Sequence, residues 1–226
     1  EAVSYSASED PSAVALGDFN NDGDLDIAVS TTSSSMIDIM LGNGDGTFAA
    51  AQAFSTGGAI NELALGDLNN DGDLDVVTAG DDGTVGVMLG NGQGELVVSS
   101  ATLTGAPVVD VATADFNGDG DLDVAATNRT SANTAILSGD GTGTLTPTTT
   151  TDMTAEPLAL ATGDLNADGR VDVATVNTGT VNVGVAFNTT TYTPKNTVAP
   201  NTGPAAGGTS VTITGANFTG ATSVTF

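Results

Sequence analysis

One nine-residue pattern, Asp-x-Asn-x-Asp-Gly-x-x-Asp, occurs four times in a fixed frame and decides most of what this chain can fold into. Its copies begin at Asp18, Asp67, Asp115 and Asp164, so successive units step by 49, 48 and 49 residues. A period of that size marks stacked supersecondary units, each unable to bury its apolar face alone. The flanks keep the frame. Ala15, Ala64, Ala112 and Ala161 each stand three residues ahead of the first Asp, and apolar runs such as Ile27-Ala28-Val29 and Val124-Ala125 follow the last. A further strand-like segment comes next in each unit, as in residues 36–41, 85–89, 135–137 and 181–185. Three of these end in glycine-rich turns at residues 42–46, 90–94 and 139–143, and fourth strands are expected to begin at Phe48, Leu96 and Leu145. Four antiparallel strands per unit, with the acidic loop between the first two, make a β-propeller blade. The expected fold is therefore all-β.

The ends of the repeat carry their own expectations. The fourth unit reaches Tyr192, in the place of Phe48, and turns into Thr193-Pro194-Lys195 without a fourth strand. Residues 1–8 align with the segment after Phe48 and read as a fourth strand lacking its blade. Either that strand completes the last blade and closes a four-bladed ring, or the units are part of a larger propeller, since rings of 4 to 8 blades are physically sound.

The loops place acids and an amide at alternate positions, which would repel one another unless a cation sat among them. Calcium accepts 6 to 8 oxygen ligands in loose geometry and suits such a set. The candidate ligands are Asp18, Asn20, Asp22, Asp24 and Asp26 in the first loop and Asp67, Asn69, Asp71, Asp73 and Asp75 in the second. Asp115, Asn117, Asp119, Asp121 and Asp123 follow in the third, and Asp164, Asn166, Asp168, Arg170 and Asp172 in the fourth. Position 7 is to offer its backbone carbonyl, so Arg170 is tolerable if its side chain turns outward. The expected cofactor is about four structural Ca²⁺ ions, which would move the formal charge from −25 to −17. An EF-hand is excluded, because its bidentate Glu at position 12 is replaced by Val29, Thr78, Ala126 and Thr175. Positions 2 and 8 are apolar in every copy and are expected to pin the loop to the blade core. Asp45, Asp81, Asp82 and Asp140 read as turn residues, and Asp38 and Asp110 as exposed strand positions.

Composition narrows the function. With no Cys and no His, the chain has neither the residues for Ser-His-Asp or Cys-His catalysis nor an ordinary zinc site. Three basic residues, Arg129, Arg170 and Lys195, against 28 acids exclude nucleic acid as a partner. No apolar stretch reaches the length of a membrane-spanning helix, and no secretion leader precedes Glu1, so any such signal is expected to have been removed or left out.

Asp18-Phe-Asn-Asn-Asp-Gly-Asp-Leu-Asp-Ile-Ala-Val29 and its three partners resemble FG-GAP/VCBS-type repeats, the calcium-loop blades of integrin α-subunit propellers and of many bacterial surface and secreted proteins. The resemblance covers residues 1–194 and implies an integrin-like propeller with calcium in the four loops. No Gly-Ala-Pro follows any loop, and Gly105-Ala106-Pro107 lies out of frame, so integrin ligand-binding features are not carried over. Residues 195–226 look like the opening of an IPT/TIG immunoglobulin-like domain. Only 32 residues of it are present, where a sandwich takes about 100. Either the polypeptide continues, or a neighbouring chain supplies strands by β-strand addition. Asn128, Asn188 and Asn217 head N-glycosylation patterns, and residues 146–151 form a threonine-rich edge strand.

These features point to a non-enzymatic, calcium-stabilised module for adhesion or structural assembly of a secreted or surface-anchored bacterial protein. Its partners are expected to be other protein chains or extracellular ligands, with self-assembly through the tail domain. A glycan-binding propeller is the alternative, weakened by scarce aromatics. A hydrolase accessory domain comes third, because every well-placed acid cluster is already spoken for as a ligand set.

Overall fold

The computed structural model describes residues 3–153 and 156–191, with two short strands beyond them, and among these residues there is no helix. Blade one comprises β1 (Pro11–Gly17), β2 (Asp26–Thr31), β3 (Met36–Met40) and β4 (Gln52–Ser55). Blade two comprises β5 (Ile60–Gly66), β6 (Asp75–Gly80), β7 (Thr84–Gly90) and β8 (Leu96–Leu103). Blade three comprises β9 (Val108–Ala114), β10 (Asp123–Asn128), β11 (Asn133–Gly139) and β12 (Leu145–Asp152). Blade four has three strands among the described residues, β13 (Pro157–Gly163), β14 (Asp172–Asn177) and β15 (Asn182–Ala186). Strands pair antiparallel in chain order within every blade. Tyr192 lies outside the described residues, and of the tail only β16 (Thr197–Ala199), paired with β17 (Thr212–Thr214), is described.

The period-2 alternation gives each blade two apolar faces, and the core is made where the face of one blade meets the next. Ala28, Ile37 and Ile39 of blade one pack with Leu63, Val76 and Met88 of blade two. Val77, Val85 and Val87 continue into Val111, Val124 and Leu137 of blade three, and Ala125 and Ile136 meet Val173 of blade four. The first two joints thus bury whole Val, Leu and Ile side chains, worth about 1.5–3 kcal/mol apiece, and the third buries Phe116 and Val173. The glycine ahead of each of the first two loops serves the same joint: a Cβ on Gly17 would strike the Leu74 side chain of blade two, and one on Gly66 would strike Leu122 of blade three.

A second close approach lies inside each of the first three blades. A Cβ on Gly42, Gly90 or Gly139 would stand 2.1–2.3 Å from the carbonyl oxygen of Leu25, Leu74 or Leu122. Because backbone cannot rotate away as a side chain does, Gly90→Ala is expected to cost about 2–3 kcal/mol in denaturant unfolding.

Among the described residues, the four blades do not close a ring within one chain. Residues 3–8 lie on blade one rather than on blade four: the Tyr5 ring sits edge-on to Phe48 with centroids 5.4 Å apart, and Ser8 donates its N–H and its hydroxyl to Asp38. The closing-strand alternative is corrected accordingly, since among the described residues both outer faces of the four-blade row remain open. Val14 and Leu16 are exposed on blade one, and Val183 and Val185 on blade four.

Candidate metal centres

Each acidic loop spans the β-turn between the first two strands of its blade, and its sixth position is glycine with φ near +90° in the first three blades and +83° in the fourth. Gly23, Gly72, Gly120 and Gly169 take that conformation without the Cβ strain other residues would meet. In the first loop the Asp18 carboxylate accepts from the amides of Asp22, at 3.2 Å, and Gly23, at 2.9 Å. The Asp22 amide also donates to Asn20 Oδ1 at 3.2 Å, so oxygens from positions 1 and 3 face one N–H. Asp24 N–H donates to Asp22 Oδ1, and Asn20 Nδ2 to Asp22 Oδ2. The second and fourth loops repeat this network almost bond for bond. In the third, Asn117 turns its Nδ2 to Ser138, and Asp115 accepts from Gly118 and Gly120.

Position 9 differs from the others. Asp26, Asp75, Asp123 and Asp172 are fully buried, and each carboxylate bridges at least two backbone amides. Asp75 accepts from Leu68 N and Gly90 N, both at 2.8 Å, tying the start of its loop to the end of the third strand. Asp26 does the same with Phe19 N and Gly42 N. Burial pushes the Asp75 carboxyl up to about 6, against the pull of those amides, and the charges of Asp71 and Asp67 push the same way. Asp123 is raised by burial, with Asp119 adding to it.

Position 7 has a side-chain role that its assignment as a carbonyl donor overlooked. Asn21 Nδ2 reaches across from the first loop to Asp73 Oδ1 at 2.7 Å, and Asn70 Nδ2 to Asp121 Oδ1 at 2.8 Å. Asn21 and Asn70 occupy position 4 with φ of +58° and +60°, a left-handed conformation that Asn tolerates better than most residues. That preference was the available sequence signal. Arg170 departs from expectation, because its side chain does not turn outward. Its Nη2 lies 2.8 Å from Asp168 Oδ2, and its Nε donates to the Asn188 carbonyl. Burial, which would raise Asp168, is outweighed by the Arg170 amide, Asn166 and the guanidinium, and the carboxyl sits below its usual range.

Positions 2 pin their loops as expected in three blades, where Phe19, Leu68 and Phe116 are buried, whereas Leu165 is exposed. Asp45 and Asp140 cap tight turns through Thr47 and Thr142. Asp38 and Asp110 are not exposed strand positions. Asp38 is fully buried against Ser8, and Asp110, half-buried, accepts from Leu160 N at 2.7 Å, its carboxyl raised mainly by burial. Asn128 is likewise buried and donates to Asn133, so a glycan does not fit there in the folded protein. Asn188 donates to the Phe116 carbonyl, and Asn217 lies outside the described residues.

The donor set fits a hard cation in kind: oxygen only, several anionic, on one short loop. As placed, the carboxylates are held by loop amides, and among the described residues no three acidic side chains converge on one point.

The profile of FG-GAP-like repeats matches residues 18–78, 67–126 and 115–175, each span running from one loop past the next. The chain belongs to the FG-GAP-like repeat family. Its tail, residues 195–226, matches the IPT/TIG domain. No curated protein matches the chain. Among solved structures, BBS1N in complex with ARL6DN, soaked with lead, aligns with TM-score 0.55 and 17% identity over 86% of this FG-GAP chain and 55% of that chain. The same complex soaked with mercury aligns with TM-score 0.51 and 16% identity over 78% of this chain and 54% of that one. The FG-GAP chain therefore spans about half the length of these structures, and at such identity the likeness is one of fold. No helix among the described residues is long and apolar enough to cross a membrane.

Proposed function

We propose that this FG-GAP chain is a calcium-stabilised module that acts by binding other proteins, in adhesion or structural assembly of a secreted or surface-anchored bacterial protein, and not by turnover. One observation carries the calcium reading. Among the described residues, the loop with its own cationic side chain is the fourth, where Arg170 pairs with Asp168. The first two loops hold four carboxylates each, and among the described residues no Lys or Arg pairs with them. A divalent ion supplies the missing charge, held by the carboxylates and the position-3 amide oxygen, with Asp24, Asp73 and Asp121 giving their carbonyls. Protein binding is supported by the fold, since BBS1N of the same architecture was crystallised with a partner protein.

Calorimetric titration of calcium into chelator-treated protein is expected to show strong binding at three loops and weaker binding at the fourth, where the guanidinium competes. Replacing that guanidinium by the residue of the other loops, Arg170→Asp, is expected to tighten the fourth site about tenfold or more. Absence of binding heat in the unaltered protein would overturn the calcium reading.

A further inference from the structure

The two ends of the blade row carry the two halves of one joint. At the first two internal joints, the residue at position 8 of one loop lies over the small residue that precedes the loop of the blade before it, as Leu74 lies over Gly17 and Leu122 over Gly66. In blade one the corresponding Leu25 is 60% exposed, and in blade four a Cβ on the corresponding Gly163 would meet nothing within 4 Å. The faces around them are equally unmatched. Val14 (65% exposed) and Leu16 (59%) hold the register positions that Leu63 and Leu65 occupy in blade two. Val183 (66%) and Val185 (48%) hold those of Ile37 and Ile39, which are buried at 0% and 1%.

The backbone is unmatched in the same sense. Blade four presents β15 as a free edge among the described residues, and the match that follows it is an IPT/TIG domain, not a further blade. Residues 3–6 stand 49 positions ahead of β4 and lie on the outer face of blade one, with Tyr5 against Phe48 much as Phe54, 49 residues on, joins the cluster holding Leu96. They are placed as the fourth strand of a blade that would precede blade one.

We propose that a second copy of this chain fills both gaps, blade four of one copy docking on blade one of the next. Leu25 of the first copy then seats over Gly163 of the second, and residues 3–6 of the first add to the second copy's β15. Two such joints close two copies into an eight-bladed ring, within the range propellers adopt. The polar pair that spans the first two internal joints, Asn21 with Asp73 and Asn70 with Asp121, is missing at this one, because Asp24 faces Ala167. Ala167 already has φ of +60°, the conformation of Asn21 and Asn70, so an asparagine fits there.

The test uses the whole chain in saturating calcium, with salt to screen a formal charge of −25 per copy. Sedimentation is expected to give twice the 22.0 kDa of one chain. Leu25→Asp and Val183→Asp, both at exposed positions that leave the single chain's packing intact, are expected to weaken association at least about tenfold, and Ala167→Asn to strengthen it several-fold. Because the chain has no cysteine, Leu25→Cys mixed with Gly163→Cys should form a disulfide-linked pair on mild oxidation, and neither alone should. A single-copy mass at concentrations of hundreds of micromolar overturns the proposal. So does a disulfide formed within one chain carrying both cysteines, or a cross-linked ladder longer than two.

Discussion

Removing calcium is expected to unfold this protein at ordinary temperatures or to lower its melting temperature by tens of degrees. An ion that binds the folded state alone, at a thousandfold excess over its dissociation constant, contributes about 4 kcal/mol. Three or four loops together then supply about 12–16 kcal/mol, as much as the whole stability of a typical domain. Burial at the joints opposes this loss, but the loops work against it once empty, because the acids gathered in each repel one another. Differential scanning calorimetry with and without chelator decides the matter, and an unchanged melt would remove any structural role for the ion.

The metal-free protein should also respond to pH in the direction opposite to most acidic proteins. Asp75 titrates near 6 in the fold, against about 3.8 unfolded. A folded state that binds its proton more tightly than the unfolded chain gains stability as pH falls. The stabilisation is complete below about 4 and is lost as pH rises through about 6. Asp123 and Asp110, both raised, act in the same direction. Calcium favours the ionised loop acids, so at saturating metal the trend should flatten or reverse in the same window.

Much of this architecture is legible in the sequence because the period of 48–49 residues imposes one local solution four times. The apolar position 2 forecasts a buried anchor, and Phe19, Leu68 and Phe116 are buried as that reading requires, whereas Leu165 on the last blade is exposed. Other features depend on what lies across a joint, which no single repeat contains. Asp38 looks like a solvent-facing residue of an alternating strand, yet it is buried because residues 3–8 fold over it. Asn21 and Asn70 look like filler between ligands until the next blade brings Asp73 and Asp121 to their amides. Arg170 looks like a surface charge, but its own Asp168 is the closest anion.

Two aspartates of one loop separate holding the ion from holding the fold. Asp71 at position 5 is in the exposed part of the loop and accepts only from Asn69 and Asp73. Asp71→Asn is therefore expected to weaken calcium binding at the second loop with little further cost at saturating calcium. Asp75 is buried at 0% exposure and satisfies two interior amides, those of Leu68 and Gly90. An unsatisfied buried donor costs about 1–3 kcal/mol, so Asp75→Ala should lose about 2–6 kcal/mol through the two amides alone, even when the remaining loops are saturated. At about 2–4 °C per kcal/mol for a chain of this size, the melting temperature falls by about 4–24 °C. Asp75→Asn keeps one acceptor and sets an NH₂ against the other amide, which places its loss near that of alanine and not near zero. If urea unfolding in excess calcium shows Asp71→Asn and Asp75→Ala equally destabilised, the bridging role of position 9 is wrong and the loop acids act as ligands only.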